Sequence, residues 1–314
     1  MTKKGAILLI FLAIIPALYP QEFFWVQLVQ LGIYALALYG LNLLVGYTGQ
    51  ISLCHGAFMS IGAFASGIWY QYFPSPFFDI FMGGVTTGVI GLFVALPVLR
   101  IHGNILSLTT LCLAVVYPNI VNSRLLDPWT HGLTGLKVPI LHTPFSLAIS
   151  DYLFQYYVVL IGGGLIIFGF ENILRRSHWG LSFDLIRSSE EMAQTFGMNV
   201  GLFKISAFIF SATIAGIAGG FFIFHIGTIA ATDFGLFVSL GFLSAVVVGG
   251  LHSALGSLLA GLYFGLQNEL ASVIIDQIPS AQNLRWALNG LILILFVKFF
   301  PKGLEPIVRR LVSR

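Results

Sequence analysis

His178–Lys204, HWGLSFDLIRSSEEMAQTFGMNVGLFK, is the only long polar interval in a chain that is 57% hydrophobic and 9% charged. Arg175 and Arg176 stand at its edge, and Asp184, Arg187, Glu190, Glu191 and Lys204 lie within it. Ordinary soluble domains carry roughly 25% charged residues. A sequence this apolar is an integral membrane protein, and the interval that gathers its charge has to lie in water. Ser188-Ser189-Glu190-Glu191 predicts a helix start, with Ser188 capping the first turn and Glu191 reaching back to close a capping box. Gly197 ends that helix. By composition alone the interval is a solvated amphipathic connector.

Working outward, apolar segments of about 20 residues recur on both sides, the length a helix needs to cross a bilayer. The expected spans are Gly5–Tyr19, Phe24–Val45, Ile51–Tyr72, Phe77–Leu99, Ile105–Val121, Tyr152–Phe170, Phe203–Ile226, Phe234–Val248, Ala254–Ile275 and Leu284–Phe300. The basic start Met1–Lys4 with its apolar run resembles a signal peptide, but no small-residue cleavage site precedes Pro20, so it reads as an uncleaved first span. The expectation is an all-α polytopic protein of about ten transmembrane helices, a single domain over residues 1–314. Charge tests the count independently. With ten crossings and the N-terminus inside, Lys3, Lys4, Arg100, Arg175, Arg176, Arg187, Lys204, Lys298, Lys302, Arg309, Arg310 and Arg314 fall inside and only Arg124, Lys137 and Arg285 outside. That asymmetry is the positive-inside bias. It puts both termini and the polar loop 178–201 in the cytoplasm, and Asn122–Asp151 and Asp276–Asn283 outside.

Asn42–Leu53, NLLVGYTGQISL, interrupts an apolar run with two glycines and several amide or hydroxyl groups. Irregular backbone is tolerated at membrane depth only where it is buried in protein or lines a wet cavity. The stretch is either a bend lining a translocation path, with Asn42, Gln50, Ser52 and His55 as polar contacts, or a tight interfacial turn. Asn104 joins this neutral intramembrane set. Small residues at Gly56, Ser60, Ala63 and Gly67, and at Ala212, Gly216 and Gly220, share helix faces at a spacing of four and suit close helix packing. Gly249, Gly250, Ser253 and Gly256 loosely echo the first Gly-interrupted hairpin, which points to a possible internal repeat with transport at its interface.

Several chemistries lack their residues. No Gly-x-x-x-x-Gly-Lys-[Ser/Thr] phosphate loop exists, so the chain does not hydrolyse ATP in the usual way. Metal-binding clusters and hydrolytic triads are absent from the pattern. Cys54 and Cys112 fall in apolar segments and predict no disulfide. Nothing suggests a nucleic-acid partner. A secondary carrier would keep ionisable groups in mid-span, and a lipid-metabolising enzyme would need a polar catalytic cluster; the spans show neither.

Glu191-Met192-Ala193 followed three residues later by Gly197 resembles the Glu-Ala-Ala loop of ABC-importer permeases, with Met192 in place of the central Ala. Gly40–Leu53, Ser211–Gly219, Val248–Gly256 and Pro301-Lys302-Gly303-Leu304, in that order, resemble the LivM-type permease of branched-chain amino acid ABC importers. Cys54 and His252 each stand where that family usually has Gly. The resemblance implies a permease subunit in the bacterial inner membrane, multi-pass, passing branched-chain or other small amino acids. It implies a second permease of the LivH type, two ABC ATPase subunits that hold the ATP and Mg, and a periplasmic solute-binding protein. It implies that Ser188, Glu190, Glu191, Ala193 and Gly197 dock the ATPase. Related permeases carry urea or short amides, so the substrate stays open.

Overall fold

The computed structural model of the chain describes residues 22–98, 105–142, 150–277, 284–300 and 303–312. In chain order its helices are α1 (Glu22–Asn42, continued by a π turn at Leu43–Tyr47), α2 (His55–Tyr72), α3 (Pro76–Val98), α4 (Ile105–Val121), α5 (Asp127–Thr130), α6 (Asp151–Arg176), α7 (His178–Ser188), α8 (Glu190–Thr195), α9 (Val200–Ile226), α10 (Leu236–Gly249), α11 (Ala254–Gln277), α12 (Leu284–Phe299) and α13 (Glu305–Val312). Among the described residues, five segments are helical, long and apolar enough to cross a membrane: Glu22–Tyr47, Pro76–Leu96, Asp151–Arg176, Val200–Ile226 and Ala231–Gly249. The protein is all-α and multi-pass. The expected first span, Gly5–Tyr19, lies outside the described residues.

α9 is the axis of the bundle, packed against α1, α2 and α3. Its small residues make that possible. Gly216 faces Gly62 of α2, and a Cβ at Gly216 would stand 2.5 Å from Thr87 Oγ1 of α3. Gly220 meets Ser66 and Ile80, while Gly40 of α1 lies against the Ser211 carbonyl and Ile214. In lipid the hydrophobic effect does not drive helices together, so close van der Waals contact through such residues has to. A second layer places α11 on α1, where Gly261 abuts Ala35 and Gly265 abuts Leu31. Tyr34, Phe242 and Phe264 fill the space between α1, α10 and α11, with Phe264 edge-on to both at centroid distances of 4.9 and 4.8 Å.

The loop after α4 is ordered by pairing. Its strand β1 (Leu136–Lys137) runs antiparallel to β2 (Thr228–Ile229), which follows α9. Leu136 and Ile229 are buried, and Val138 N–H donates to Gly227 O at 2.9 Å.

Candidate functional site

Two of the bundle's helices start at mid-depth. The first break follows the π turn. Thr48 Oγ1 donates back to Leu44 O at 2.6 Å, Gly49 takes a φ of +70°, and no regular helix resumes until His55. The span expected from Ile51 therefore begins four residues later. His55 is fully buried, with Nε2 2.8 Å from Ala37 O. A carbonyl only accepts, so Nε2 carries the proton and Nδ1 is a bare acceptor without a hydrogen-bond partner among the described residues. Ala37 stands ten residues before Tyr47, about 15 Å along α1. Gln50–Cys54, at up to ~3.3 Å per residue when extended, runs back alongside α1. α2 thus starts level with the middle of α1.

The second break lies between α9 and α10. Gly227, at φ +81°, ends α9; β2 and a 3₁₀ turn at Ala231–Phe234 follow. The Phe234 ring packs on Phe222, inside the end of α9, at a centroid distance of 5.1 Å. The connection therefore dips into the bundle, and α10 begins beside the start of α2. Gly56 N–H donates to Ser239 Oγ at 3.0 Å, and Leu53 N–H donates to Thr110 Oγ1 of α4 at 3.0 Å. Ser52, Thr110 and Ser239 are fully buried. Helix N-termini present unpaired N–H groups and the positive ends of their dipoles. Where α2 and α10 meet, neutral donors are thus gathered between apolar walls.

Beneath the first break, Asn42 ties the two Gly-interrupted hairpins together. It is fully buried. Its Nδ2 lies 3.2 Å from Gly250 O, 3.0 Å from Ser253 O and 2.9 Å from Ser257 Oγ, and its Oδ1 accepts from His252 N–H at 2.9 Å. Gly249 and Gly256 leave no room for side chains where the α10–α11 turn folds on itself. Gly303 seats against Gly250, and Leu304 N–H donates to Val248 O at 2.9 Å. Stretches remote in sequence, around Gly40, Ser211, Gly250 and Gly303, are assembled into one block.

Of the other residues read as path contacts, Gln50 is buried with Nε2 unpartnered among the described residues, and Asn104 lies outside them. Of the packing set, Gly56 is pressed on Ser239, while Ser60 accepts from Tyr117 OH at 2.7 Å. Sequence reasoning did not single out Thr110, Tyr117 or Ser239, which are single hydroxyls inside apolar helices. Asp79 was also passed over; it is buried in the first turn of α3 and accepts from Ser75 N–H at 3.2 Å. Among the described residues no group of three His, Cys, Asp or Glu is placed to hold a metal, and Cys54 and Cys112 are both free.

The polar interval folds as α7, α8 and the start of α9. Its second helix is not capped by Ser188: α7 runs through that residue, whose Oγ donates to Leu185 O at 2.8 Å. Ser189 is the cap, accepting from Met192 N–H at 3.2 Å. The shift by one residue moves Glu191 off the position from which a capping box closes, leaving it only the favourable helix dipole. At the other end, Met198 N–H reaches Ala193 O at 3.1 Å and Gly197 N–H reaches Gln194 O at 2.8 Å, a Schellman closure with Gly197 at φ +76°. Ala193 is buried against Ile186 and Val200, and Glu190 pairs with Lys204. Met192 and the C-cap residue Phe196, four apart, stay 51% and 72% exposed, an apolar face turned outward on a short helix.

Long apolar helices, two of them starting part-way along the bundle beside buried polar groups, make this a polytopic membrane protein. Within that class, the chain belongs to the branched-chain amino acid transport system / permease component family, whose model matches residues 26–297. It is 26% identical over 243 residues to the high-affinity branched-chain amino acid transport system permease protein LivM of Salmonella typhimurium, and equally to that of Escherichia coli, covering 70% of this chain and 57% of each relative. It is 24% identical over 221 residues to the probable branched-chain amino acid transport permease protein LivH of Methanocaldococcus jannaschii, covering 68% of both. The chain thus spans little more than half the length of the LivM relatives it matches. No solved structure matches it.

Proposed function

We propose that the chain is a permease subunit of an ABC importer, passing branched-chain or other small amino acids across the bacterial inner membrane. ATP hydrolysis is supplied by separate subunits that hold the nucleotide and Mg. The observation that carries this reading is the meeting of two helix starts at mid-depth, α2 from one side of the bundle and α10 from the other. Transporters build substrate sites from discontinuous helices in this way. In this reading α8 is the ATPase-docking helix, with Glu190, Glu191 and Gly197 shaping it and Met192 and Phe196 entering the partner's groove. A LivH-type permease completes the pair, and a solute-binding protein delivers substrate to the opposite face, where β1 orders the loop. The full topology has ten spans with both termini in the cytoplasm.

The test is uptake into proteoliposomes holding the chain with its second permease, ATPases and binding protein. Branched-chain amino acid should accumulate only with ATP inside, and collapsing the proton gradient should leave the rate unchanged. Uptake that follows the proton gradient would sink the reading in favour of a secondary carrier. Cysteines placed at Thr134 and Ser189 of a Cys-free chain should react with an impermeant thiol reagent from opposite sides; labelling from one side would refute the topology.

A further inference from the structure

Tyr47 is the last residue of the π turn, immediately ahead of the irregular Thr48–Cys54 segment. It is buried, yet it touches two other parts of the chain at once. Its hydroxyl donates to Glu171 Oε2. Glu171 is 6% exposed in the last turns of α6; Tyr39 OH approaches the same oxygen at 3.5 Å, and the Arg175 guanidinium holds Oε1 at 2.7 Å. α6 continues through the single residue Ser177 into α7, so Glu171 is attached to the polar segment with little slack. The face of the Tyr47 ring stacks on His252, with centroids 4.2 Å apart.

His252 sits in the α10–α11 turn at φ +66°, a conformation that side chains with a Cβ disfavour. Its ring in turn reaches Asp184 of α7 at 3.4 Å. A strained backbone position persists when its surroundings over-determine it; here Asn42 Oδ1 accepts from the His252 N–H, and the ring lies between Tyr47 and Asp184. The foot of the first break is therefore gripped twice: by Glu171 of α6 at the hydroxyl, and by Asp184 of the polar segment, through His252, at the ring.

We propose that Tyr47 is the residue through which movement of the α7–α8 segment reaches the broken start of α2, with Glu171 and His252 positioning it. The proposal rests on the importer reading above. A shift of α7 changes the Asp184–His252 and Glu171–Tyr47 distances together, and Tyr47 passes the change to the backbone that leads to Ser52 and His55. Glu171 gathers the Tyr47 hydroxyl, the Arg175 guanidinium and, at 3.5 Å, the Tyr39 hydroxyl, so displacing it withdraws the acceptor on which Tyr47 is seated.

Two variants test it in the reconstituted importer, with uptake and ATP hydrolysis measured in parallel. Tyr47→Phe keeps the ring and removes the hydroxyl. His252→Gly removes the ring and relaxes the positive φ, while its N–H to Asn42 stays, and a detergent melt beside the wild type checks that the fold is kept. Both should copurify the ATPases at wild-type levels, and amino acid taken up per ATP hydrolysed should fall at least fivefold, the scale of an ordinary coupling between sites. Wild-type uptake per ATP in both variants overturns the proposal. So does loss of ATPase capture, which would make these residues part of the docking surface alone. A wild-type complex that does not transport at all would instead remove the importer reading, and this inference with it, a result seen before any variant is made.

Discussion

The block around Asn42 and the helix α8 are both polar intrusions in a greasy chain, and they are built in opposite ways. Asn42 is buried, and its amide reaches the other hairpin at the Gly250 and Ser253 carbonyls, the Ser257 hydroxyl and the His252 N–H, so its contacts exist only in the tertiary fold. α8 is closed by its own neighbours: Ser189 at one end, Gly197 at the other, and a three-residue core of Ile186, Ala193 and Val200 beneath. On its outward face Met192 and Phe196 stay largely exposed. Under the proposed function the contrast separates residues that hold the fold from residues offered to a partner, and substitutions should divide along the same line.

The largest effect is expected at Asn42. Asn42→Leu orphans the His252 N–H and removes the donor to Gly250 O, Ser253 O and Ser257 Oγ; at about 1–3 kcal/mol for each buried group left unpaired, the loss is a large part of an ordinary domain's stability. The variant should fail to accumulate in the membrane, or unfold in detergent well below the wild type in a thermal melt. A melt like that of the wild type would dissolve the contrast. Met192→Ser with Phe196→Ser should do the reverse, leaving level and melting unchanged because both side chains are exposed, while copurification of the ATPases drops at least tenfold, about 1.4 kcal/mol. If that double variant lowers the melting temperature instead, α8 belongs to the fold.

Smaller effects sharpen the comparison inside α8. Ser189→Ala removes the cap, worth about 1 kcal/mol, whereas Glu191→Ala loses only a dipole interaction of about 0.3–1 kcal/mol. ATPase capture should therefore weaken more for Ser189→Ala than for Glu191→Ala; the opposite order would restore the capping box read from the sequence. On partner capture the smallest change is expected for Ser60→Ala, which takes one acceptor from Tyr117: about 1 kcal/mol lost in a detergent melt, with capture unaffected.

These expectations depend unequally on the sequence. The long helices α1, α3, α6 and α9 and the short helix ending at Gly197 follow from local features: unbroken apolar length, a hydroxyl before two glutamates, a glycine that alone takes φ +76° without strain. The small-residue positions on α2 and α9 were equally plain, since spacing of four fixes a face whatever it packs on. Even a cap can be misplaced by local reading. Ser188 and Ser189 both fit the pattern, and only the continuation of α7 through Ser188, held from behind by packing of Phe183 and Ile186, decides between them.

What lay beyond the sequence are contacts between residues far apart along it. The sequence left Asn42 as either a path contact or part of a tight turn, because nothing near it in the chain shows that Gly250 and Ser253 will receive its amide. The late start of α2 depends on Ala37, Thr110 and Ser239, and the order of the β1 loop on strand pairing with Thr228–Ile229. Composition and periodicity made this a membrane protein of apolar helices, because burying apolar length is a property of each segment alone. Where those helices break, and which side chain closes on which backbone, was settled only in the folded chain, because a buried donor is satisfied by whatever acceptor the packing brings to it.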